Sequence, residues 1–289
     1  MKHPTSLGML YKRVKEALRG AGIPTPELDA RLILRKALGV EEARIYAHPE
    51  EEVAPSALAR TQALLERRLK GEPMAYILGE KEFYSRPFIV NPHVLIPREE
   101  TELLVDEALG IIKGFPNPTV ADVGTGCGCI AITILLEHPG ARVVAIDSSG
   151  KALGVARANA NRLCSRDALR RLKFVEGELL RPLEDGTIDV VVSNPPYVSR
   201  EEYELLPREV RDFEPREALF AGERGLECIV LIVGDAPRVL KRGGWLLVEI
   251  GAGQGGDVSA MFREVGFGEV EVLRDLSGKD RVVKGKWIR

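Results

Sequence analysis

The stretch TVADVGTGCGC, residues 119–129, decides the fold predicted for this chain. Its first five residues favour a short buried strand, and glycines follow directly at 124, 126 and 128. Glycines at the carboxyl end of a strand let the backbone pass close to a ligand, in the crevice where nucleotide-binding sheets hold theirs. The GxGxG spacing differs from the GxGxxG loop that seats a pyrophosphate on a helix N-terminus. The alternative interpretation is a tight turn that binds nothing.

Strands and helices alternate from this stretch to the end of the chain. Strands are predicted at 119–123, 142–147, 172–177, 188–194 and 245–251, and helices from Cys129, up to Asn161 and near 255–265. The segments EVEVLRDL and RVVKGKWI, joined through residues 277–280, form a closing hairpin that adds antiparallel strands. This alternation predicts an α/β domain with a mainly parallel, seven-stranded sheet and helices on both faces.

The chain before this domain has a helical pattern. Between residues 6 and 70, apolar residues recur at helical spacing, and breaks at 20–26, 39 and 48–55 divide the segment into four or five helices. From 71 to 97, aromatic and β-branched residues with Pro and Gly punctuation favour a β-hairpin. We therefore predict a small helical bundle, a hairpin linker and the α/β domain, in keeping with the two domains expected for 289 residues.

The composition is that of a globular protein with balanced charge. Hydrophobic residues make up 45% and charged residues 29%, and 41 Lys+Arg against 43 Asp+Glu leave a net charge of -2. A protein that holds nucleic acid chiefly through its phosphates carries a basic surplus. An obligate duplex-binding protein is therefore disfavoured.

The sequence indicates neither a membrane span nor a metal site. The mostly apolar run at 129–136 has about eight residues, far short of the ~20 that span a bilayer, and no signal segment opens the chain. The four cysteines lack CxxC spacing and are expected as free thiols, and the four histidines lie apart without metal-ligand spacing. We expect a cytoplasmic protein with no bound metal and no membrane association.

Acidic residues follow two further predicted strands at the same edge of the sheet. Asp147 ends the second strand, where a carboxylate can accept hydrogen bonds from both hydroxyls of a ribose. Its alternative role is a helix N-cap beside Ser148 and Ser149. Glu178 follows the third strand, where an acid or the backbone can reach an adenine, although a solvated loop carboxylate fits nearly as well. With the glycine loop, these positions indicate an adenosine-containing ligand, either NAD or S-adenosyl-L-methionine.

The fourth predicted strand continues into Asn194, Pro195, Pro196 and Tyr197, named here the NPPY turn. Two prolines stiffen the turn and remove two N–H donors, so peptide carbonyls and the Asn194 side-chain oxygen converge as acceptors. A planar amide NH2 or an exocyclic amine offers two matching donors, and a tyrosine ring can pack on its flat face. A purely structural turn is the alternative, but the position opposite the glycine loop favours a substrate site.

Five motifs spread over almost the whole chain carry a family resemblance. They are GEPMAYILGEKEFYS (71–85), VLIPREETE (94–102), DVGTGCGCIA (122–131), VSNPPYV (192–198) and FEPREALFAGERGL (213–226). Together they resemble S-adenosyl-L-methionine-dependent methyltransferases, and closely the protein-glutamine N5-methyltransferases of bacterial peptide chain release factors. The resemblance implies a Rossmann-like class I methyltransferase sheet preceded by a helical domain. It also implies methyl transfer to the side-chain amide nitrogen of the glutamine in a release factor's GGQ loop, with S-adenosyl-L-homocysteine as the product.

The resemblance implies roles for individual residues. Cofactor binding is implied for Gly124, Thr125, Gly126, Cys127, Gly128 and Asp147, contact with adenine for Glu178 and Leu179, and binding of the glutamine for Asn194, Pro195, Pro196 and Tyr197. The four residues of the NPPY turn are also the implied catalytic residues, and Asn194 is expected to contact the cofactor as well. Phe88 is most simply a packing residue of the hairpin, and we also include it as a candidate for lining the substrate pocket.

Three positions depart from the family pattern. Cys127 stands where Ser or Thr is commoner, Glu178 and Leu179 replace an Asp followed by an aromatic residue, and Glu99 replaces a Pro. The predicted domain bounds are 1–72 for a helical substrate-docking domain, 73–97 for the β-hairpin linker and 98–289 for the methyltransferase domain. We expect a monomer whose partner is the release factor, with no direct contact to nucleic acid.

Other functions remain open as alternatives. An adenine-N6 or cytosine-N4 nucleic-acid methyltransferase is the first, since an exocyclic amine fits the same acceptors. Such enzymes flip the base and usually carry a basic recognition region, whereas residues 1–75 hold 13 basic and 10 acidic residues. The others are N5-glutamine methylation of a ribosomal protein, an NAD oxidoreductase and a nucleotide-binding module without chemistry.

Overall fold

The computed structural model describes residues 5–289, so the start of the predicted N-terminal domain, with His3, lies outside the described residues. The chain forms two compact units. The first contains the described residues up to Gly79 together with Arg208–Phe213, and the second contains Glu80–Pro207 and Glu214–Arg289. A short segment from the second half of the sequence, 208–213, thus belongs to the first unit.

The first unit consists of helices around one apolar core. Its helices are α1 (Leu7–Gly20), α2 (Pro26–Leu38), α3 (Glu42–Ala47), α4 (Pro55–Leu69), α5 (Met74–Leu78) and, numbered by its place in the chain, α11 (Arg208–Arg211). Ser6 caps α1, because its side chain accepts a hydrogen bond from the Met9 N–H at 3.4 Å. The buried core includes Leu7, Leu10, Val14, Leu18, Ile33, Leu34 and Leu65. The predicted helical bundle is confirmed.

A buried ion pair lies within this unit. Arg68 of α4 donates from Nε to Asp29 Oδ2 of α2 at 2.7 Å, and from Nη1 to Glu209 Oε2 of α11 at 2.9 Å. The side chains of Arg68 and Asp29 are only 7% and 3% exposed. Arg68 therefore binds the segment 208–213 to the helices that come first in the chain.

A seven-stranded sheet forms the centre of the second unit. Its strands are β3 (Thr119–Val123), β4 (Arg142–Asp147), β5 (Leu172–Glu176), β6 (Ile188–Ser193), β9 (Leu240–Glu249), β10 (Phe267–Arg274) and β11 (Asp280–Trp287). Their order is β10-β11-β9-β6-β3-β4-β5, with β11 antiparallel to both neighbours and the other pairs parallel. The predicted Rossmann-like class I methyltransferase sheet is confirmed. Strands β3, β4 and β5 are added toward one edge of the sheet, and β6 then lies on the other side of β3. Parallel sheets open a crevice at the carboxyl ends of their strands where the strand order reverses in this way.

Helices and two small sheets complete the second unit. The helices are α6 (Thr101–Ile112), α7 (Cys129–Glu137), α8 (Gly150–Leu163), α9 (Arg166–Leu169), α10 (Arg200–Leu205), α12 (Glu227–Val239) and α13 (Gly255–Val265). The small sheets pair β1 (Glu80–Phe83) with β2 (Arg86–Ile89), and β7 (Val198–Ser199) with β8 (Phe220–Gly222). Every residue of β6 is buried, as expected for a strand covered on both faces. Within residues 5–289, no helix has the length and apolar character needed to span a bilayer.

The structure differs from the prediction between residues 71 and 97. Only 80–89 forms the predicted hairpin, whereas Met74–Leu78 forms helix α5, which buries Tyr76 and Ile77. An apolar run of five residues is too short to show whether apolar residues repeat with the period of a strand or of a helix, so the sequence pattern could not identify this helix. Helix α5 groups with the helical unit and the hairpin with the sheet unit. The hairpin is therefore a part of the sheet unit.

Candidate active site

One cleft gathers most of the predicted site residues. It has a volume of about 300 Å³ and is lined by residues that follow β3, β4, β5 and β6. The predicted residues that line it are Gly124, Thr125, Gly126, Cys127, Asp147, Glu178, Leu179, Asn194 and Pro196. Gly128, Pro195 and Tyr197 are outside this lining set.

The glycine loop leaves β3 in a conformation that glycine adopts without strain. The φ angles of Gly124, Gly126 and Gly128 are 75°, 55° and 84°, in the left-handed region that disfavours a side chain. The N–H groups of Gly124 and Thr125 both donate to the carbonyl of Ile146 at 2.9 Å, which ties the loop to the end of β4. The loop can therefore present its backbone to a ligand in the cleft.

Helix α8 supports this loop from behind. A Cβ at Gly128 would lie 3.2 Å from the Cβ of Ala156, so glycine permits the close approach of α8. Asn159 of α8 is fully buried and donates from Nδ2 to the carbonyls of Cys127 at 2.9 Å and Ile89 at 3.0 Å. Sequence analysis missed Asn159, and an amide on an otherwise apolar helix face is the only local signal it offers.

Asp147 is held by the backbone on both sides of it. Its Oδ2 accepts the N–H of Gly126 and its Oδ1 accepts the N–H of Ser149, each at 2.9 Å. The N-cap of α8 is Ser149, whose side chain accepts from the Ala152 N–H, so the alternative role of Asp147 as an N-cap is wrong. Burial raises the pKa of the Asp147 carboxyl, against the two backbone hydrogen bonds that lower it. Each carboxylate oxygen keeps further capacity to accept hydrogen bonds from a ligand.

A second carboxyl group, Asp122, lies beneath the glycine loop. Its Oδ2 accepts the hydroxyl of Thr125 at 2.6 Å and the N–H of Ala131 at 3.1 Å. Its Oδ1 has no hydrogen-bond partner within the described part of the chain. Complete burial raises the pKa of Asp122 to about 7. The charge beneath the loop is therefore set by a group that titrates near neutral pH.

The segment after β5 forms another wall of the cleft. Leu179 has a φ of 49°, in the left-handed region that a bulky side chain rarely adopts. A Cβ at Gly177 would lie 2.2 Å from Cγ of Pro182, so this turn is tightly packed. Glu178 forms an ion pair with Arg181 at 2.6 Å and also lines the cleft. Backbone strain of this kind concentrates in segments that contact ligands.

The Asn194 side chain is oriented by Thr101, the first residue of α6. Asn194 Nδ2 donates to Thr101 Oγ1 at 3.1 Å, which leaves Asn194 Oδ1 to accept from a ligand. The preceding Ser193 donates to the carbonyl of Val123 at 2.7 Å and joins the end of β6 to the end of β3. The Asn194 carbonyl lies 3.9 Å from the position a Cβ on Gly124 would occupy. The NPPY turn and the glycine loop are thus adjacent.

Tyr197 and Pro195 belong to the NPPY turn but are not among the residues that line the cleft. The Tyr197 hydroxyl donates to Glu249 Oε1 at 3.4 Å, and burial raises the pKa of this tyrosine. The Tyr197 carbonyl accepts from Nε2 of Gln254 at 3.1 Å, and Pro195 is buried. A contact between the Tyr197 ring and a substrate stays a prediction.

Phe88 is not among the residues that line the cleft. It is fully buried on β2 and packs edge to face against Phe83, with ring centroids 6.1 Å apart. Phe88 therefore packs as a core residue of the hairpin, and a contact between Phe88 and the substrate stays a prediction.

Several residues of the site were not identified from the sequence. Arg98 and Thr101 line the cleft, and the buried Glu214 accepts the N–H of Ile96 at 3.0 Å and Arg98 Nη2 at 2.6 Å. Two of the quoted motifs, VLIPREETE and FEPREALFAGERGL, contain these residues, but only the fold brings the motifs together. Across residues 5–289, no group of three or more His, Cys, Asp or Glu is arranged to hold a metal ion.

Family models and curated relatives match most of the chain. The PrmC N-terminal domain model matches residues 10–79, and the methyltransferase small domain model matches residues 101–209. A release factor glutamine methyltransferase from Nitratidesulfovibrio vulgaris is 43% identical over 284 residues, 97% of this chain and 95% of that protein. Another, from Geobacter sulfurreducens, is 41% identical over 266 residues, 92% of this chain and 91% of that protein.

A solved structure of lower identity supports the fold alone. A methyltransferase from Pyrococcus furiosus matches with a TM-score of 0.52 at 16% identity, covering 78% of this chain and 98% of that one. The agreement at so low an identity shows that the sheet and its flanking helices are those of a methyltransferase fold.

Proposed function

Since the chain belongs to the release factor glutamine methyltransferase family, we propose that it methylates N5 of the glutamine in the GGQ loop of a release factor. The methyl donor is S-adenosyl-L-methionine, and S-adenosyl-L-homocysteine is the product. The observation that carries this proposal is the Asn194 carboxamide, whose nitrogen is engaged by Thr101 beside the glycine loop. Its oxygen remains to accept an N–H of a primary amide, which is the group to be methylated.

The cleft residues fit S-adenosyl-L-methionine. The Asp147 carboxylate is already oriented by Gly126 and Ser149 and keeps acceptor capacity for two ribose hydroxyls. Leu179 and Glu178 would contact the adenine, and the backbone of the glycine loop would pass along the rest of the cofactor. When bound, this cofactor supplies a methyl group on a sulfonium, already activated for transfer to a nucleophile.

Asn194 and Pro195 would hold the substrate amide by its two N–H groups. Asn194 Oδ1 and the Pro195 carbonyl each accept one hydrogen bond, which keeps the nitrogen in line with the methyl group. The same acceptors favour the positive charge that develops on the nitrogen as the N–C bond forms and the S–C bond breaks. Asn194 has no useful basicity near neutral pH, so it acts by positioning and electrostatics, and the proton leaves the nitrogen after transfer.

We further propose that the helical domain, residues 1–72, docks the folded release factor. We also propose that the protein acts as a monomer and makes no direct contact with nucleic acid. All residues that line the cleft belong to the sheet unit, so the helical domain is available for substrate contacts. Deleting residues 1–70 should weaken binding of the release factor and leave the affinity for S-adenosyl-L-methionine close to wild type. Unchanged affinity for the release factor would contradict the docking role.

Labelled methyl transfer to purified release factors tests the activity. Parallel reactions contain a release factor whose GGQ glutamine is replaced by alanine, a ribosomal protein and DNA. Label in the unmodified release factor alone is the expected result. Transfer to DNA alone would overturn the proposal in favour of the nucleic-acid alternative, and transfer to the ribosomal protein alone would reassign the protein substrate.

A further inference from the structure

Glu214 joins two stretches of chain that line the cleft. Its side chain is only 1% exposed, and each oxygen accepts its own donor: Oε2 accepts the Ile96 N–H at 3.0 Å, and Oε1 accepts Arg98 Nη2 at 2.6 Å. Most of the stretch 93–98 lines the cleft, and so do three residues of the stretch 215–218. One buried carboxylate therefore holds the two stretches together.

The place of Glu214 in the chain shows why an anchor is needed there. The segment 208–213 belongs to the helical unit, and Glu214 is the first residue after it that belongs to the sheet unit. Because 208–213 is grouped with the other unit, the stretch 215–218 needs its own attachment to the residues that line the cleft. Glu214 supplies this attachment where the chain returns.

The far end of the stretch is attached beside the NPPY turn. The N–H of Val198, the residue that follows Tyr197, donates to the carbonyl of Leu219 at 3.0 Å. Nearby, the guanidinium of Arg216 lies over the ring of Phe220, 4.3 Å from its centroid. The chain from 214 to 219 is thus held at both ends.

These contacts close a ring of chain segments that includes the NPPY turn. Asn194 donates to Thr101 Oγ1 at 3.1 Å, and the Thr101 N–H donates to the carbonyl of Arg98 at 3.2 Å. Arg98 is bound in turn by Glu214, and the chain 215–219 leads back to the residue after the turn. Glu214 is therefore the link that joins the two walls of the cleft within this ring.

We propose that Glu214 is a positioning residue for methyl transfer, which fixes the cleft walls beside Asn194 and so sets the place of the substrate amide. The inference rests on the proposed function, in which the NPPY turn holds the glutamine. Glu214 is not among the residues that line the cleft, so it acts through Arg98 and the stretch 215–218. A shift of these walls would move the amide nitrogen out of line with the methyl group, and a misplacement of about 1 Å costs up to about 100-fold in rate.

Glu214→Gln tests the link with a side chain of nearly the same shape. A carboxylate offers an oxygen to each of two donors, whereas a carboxamide has one oxygen and an NH2 group that cannot accept. The hydrogen bond to Ile96 or the one to Arg98 is therefore lost. We expect kcat for methylation of the release factor to fall about 10-fold to 100-fold.

Two binding measurements separate positioning from general damage. The KM for the release factor should stay close to wild type in Glu214→Gln, because a folded protein substrate makes contacts beyond one glutamine. Calorimetric titration should also give an affinity for S-adenosyl-L-methionine close to wild type, because the contact between Asp147 and the N–H of Gly126 does not involve Glu214.

Glu223→Gln is the matched control. Glu223 lies just after β8, and its carboxylate pairs with Arg200 at the surface, where both side chains are exposed. The same change from carboxylate to carboxamide at an exposed pair should leave kcat at the wild-type value.

A double variant and hydrogen exchange test the link itself. Arg98→Met removes the charged partner of Glu214 and should also lower kcat. Combined with Glu214→Gln it should be no slower than the slower single variant, because both substitutions break the same link. The amides of Ile96 and Ala218 should exchange faster with solvent in Glu214→Gln, whereas the amide of Gly126 should not change.

Methylation of the release factor by the wild-type protein is measured first, so that a failure of the proposed function is recognised separately. With that activity present, wild-type kcat in Glu214→Gln, additive losses in the double variant, or a loss of cofactor affinity as large as the loss of kcat would each overturn the positioning role. Unchanged exchange at both Ile96 and Ala218 would overturn it as well.

A second pair of variants decides the question if Glu214→Gln does not fold. The side chain of Arg98 is 32% exposed, and Arg98→Met leaves the hydrogen bond between Glu214 and Ile96 in place. A fall in kcat of about 10-fold or more that Arg98→Lys partly restores, with cofactor affinity unchanged, would support the link. Wild-type kcat in Arg98→Met would contradict it.

Discussion

Asp147 joins the glycine loop to the start of α8, because one carboxylate accepts hydrogen bonds from both. Asp147→Ala should weaken binding of S-adenosyl-L-methionine by about 1–3 kcal/mol if two charge-assisted hydrogen bonds to the ribose are lost. Calorimetric titration measures the affinity, and Asp167→Ala, at an exposed carboxylate on α9, serves as the control. Undiminished affinity in Asp147→Ala would remove this residue from the cofactor site.

At Asn194, substitutions separate the acceptor from the shape of the side chain. Asn194→Ala should lower the rate of methyl transfer by roughly 10² to 10³, as the loss of one preorganised polar group does. Asn194→Asp keeps an oxygen acceptor and should retain part of the activity, whereas Asn194→Leu should not. Single-turnover transfer of labelled methyl measures the three rates. A wild-type rate in Asn194→Leu would show that the NPPY turn is not the catalytic site.

Asp122 makes the stability of the fold depend on pH. Burial raises its pKa from 3.8 to about 7, so the native state favours the protonated carboxyl. Protonation of Asp122 contributes its full stability to the fold below the pKa of this residue in the unfolded chain, and the contribution is lost as pH rises through about 7. One pKa unit corresponds to about 1.4 kcal/mol. The free energy of unfolding of Asp122→Asn, relative to wild type, should therefore increase by a few kcal/mol from about pH 4 to pH 8.

Denaturant unfolding of the two proteins at several pH values measures this difference. The substitution also leaves a new amide group in the buried site, which adds a contribution that does not vary with pH. A difference that stays constant over this range would show that Asp122 is not the titrating group.

At the scale of elements, two loops meet at the backbone of Tyr197, where the NPPY turn leads into β7. Gly225, just before α12, has a φ of 75°, and a Cβ there would lie 2.5 Å from the Tyr197 carbonyl oxygen. Gln254, between β9 and α13, donates from Nε2 to the carbonyls of Tyr197 and Gly225, each at 3.1 Å. The loops before α12 and α13 thus fix the end of the NPPY turn.

Gly225→Ala should displace the Tyr197 backbone and lower kcat by up to about 100-fold, since small misplacements of positioning groups cost that much. Gly234→Ala is the matched control, because Gly234 lies inside α12 and an added Cβ would have no atom within 4 Å apart from its chain neighbours and the backbone of its own helix. That control should keep wild-type kcat and stabilise the fold by roughly 0.5–1 kcal/mol. Equal kcat values in the two variants would contradict this account of the loop.

At the scale of the whole molecule, the chain returns to the helical unit at 208–213 and is held there by Arg68. Arg68→Met should lower the free energy of unfolding by about 3–5 kcal/mol, because it leaves the Asp29 carboxylate buried without its partner. Lys12→Met is the control, since the exposed Lys12–Glu16 pair at 4.0 Å should contribute less than about 1 kcal/mol. Denaturant unfolding followed by circular dichroism compares the two, and equal losses would contradict a stabilising role for the buried pair.

Most of the sheet could be predicted because its signals are local. The structure confirms the strands at 119–123 and 142–147 and the helix that begins at Cys129. Short runs of apolar residues predicted the buried strands, and the glycines that follow predicted where a strand ends, so neighbouring residues were enough. Helix α5 could not be predicted, because five consecutive apolar residues fit the two-residue repeat of a strand as well as the 3.6-residue repeat of a helix. Helix α12 was overlooked, and β9 begins at Leu240, before the predicted start at 245.

The sequence by itself determined where the glycine loop, Asp147 and Asn194 would meet, because each follows a parallel strand and such strands end at one edge of the sheet. Only the tertiary structure decided which side chains orient these groups. Thr101 lies 93 residues before Asn194, and Glu249 lies 52 residues after Tyr197. Partners so distant in the chain meet through the order of the strands and the packing of α6 on the sheet, and the sequence around each residue carries no local signal of either.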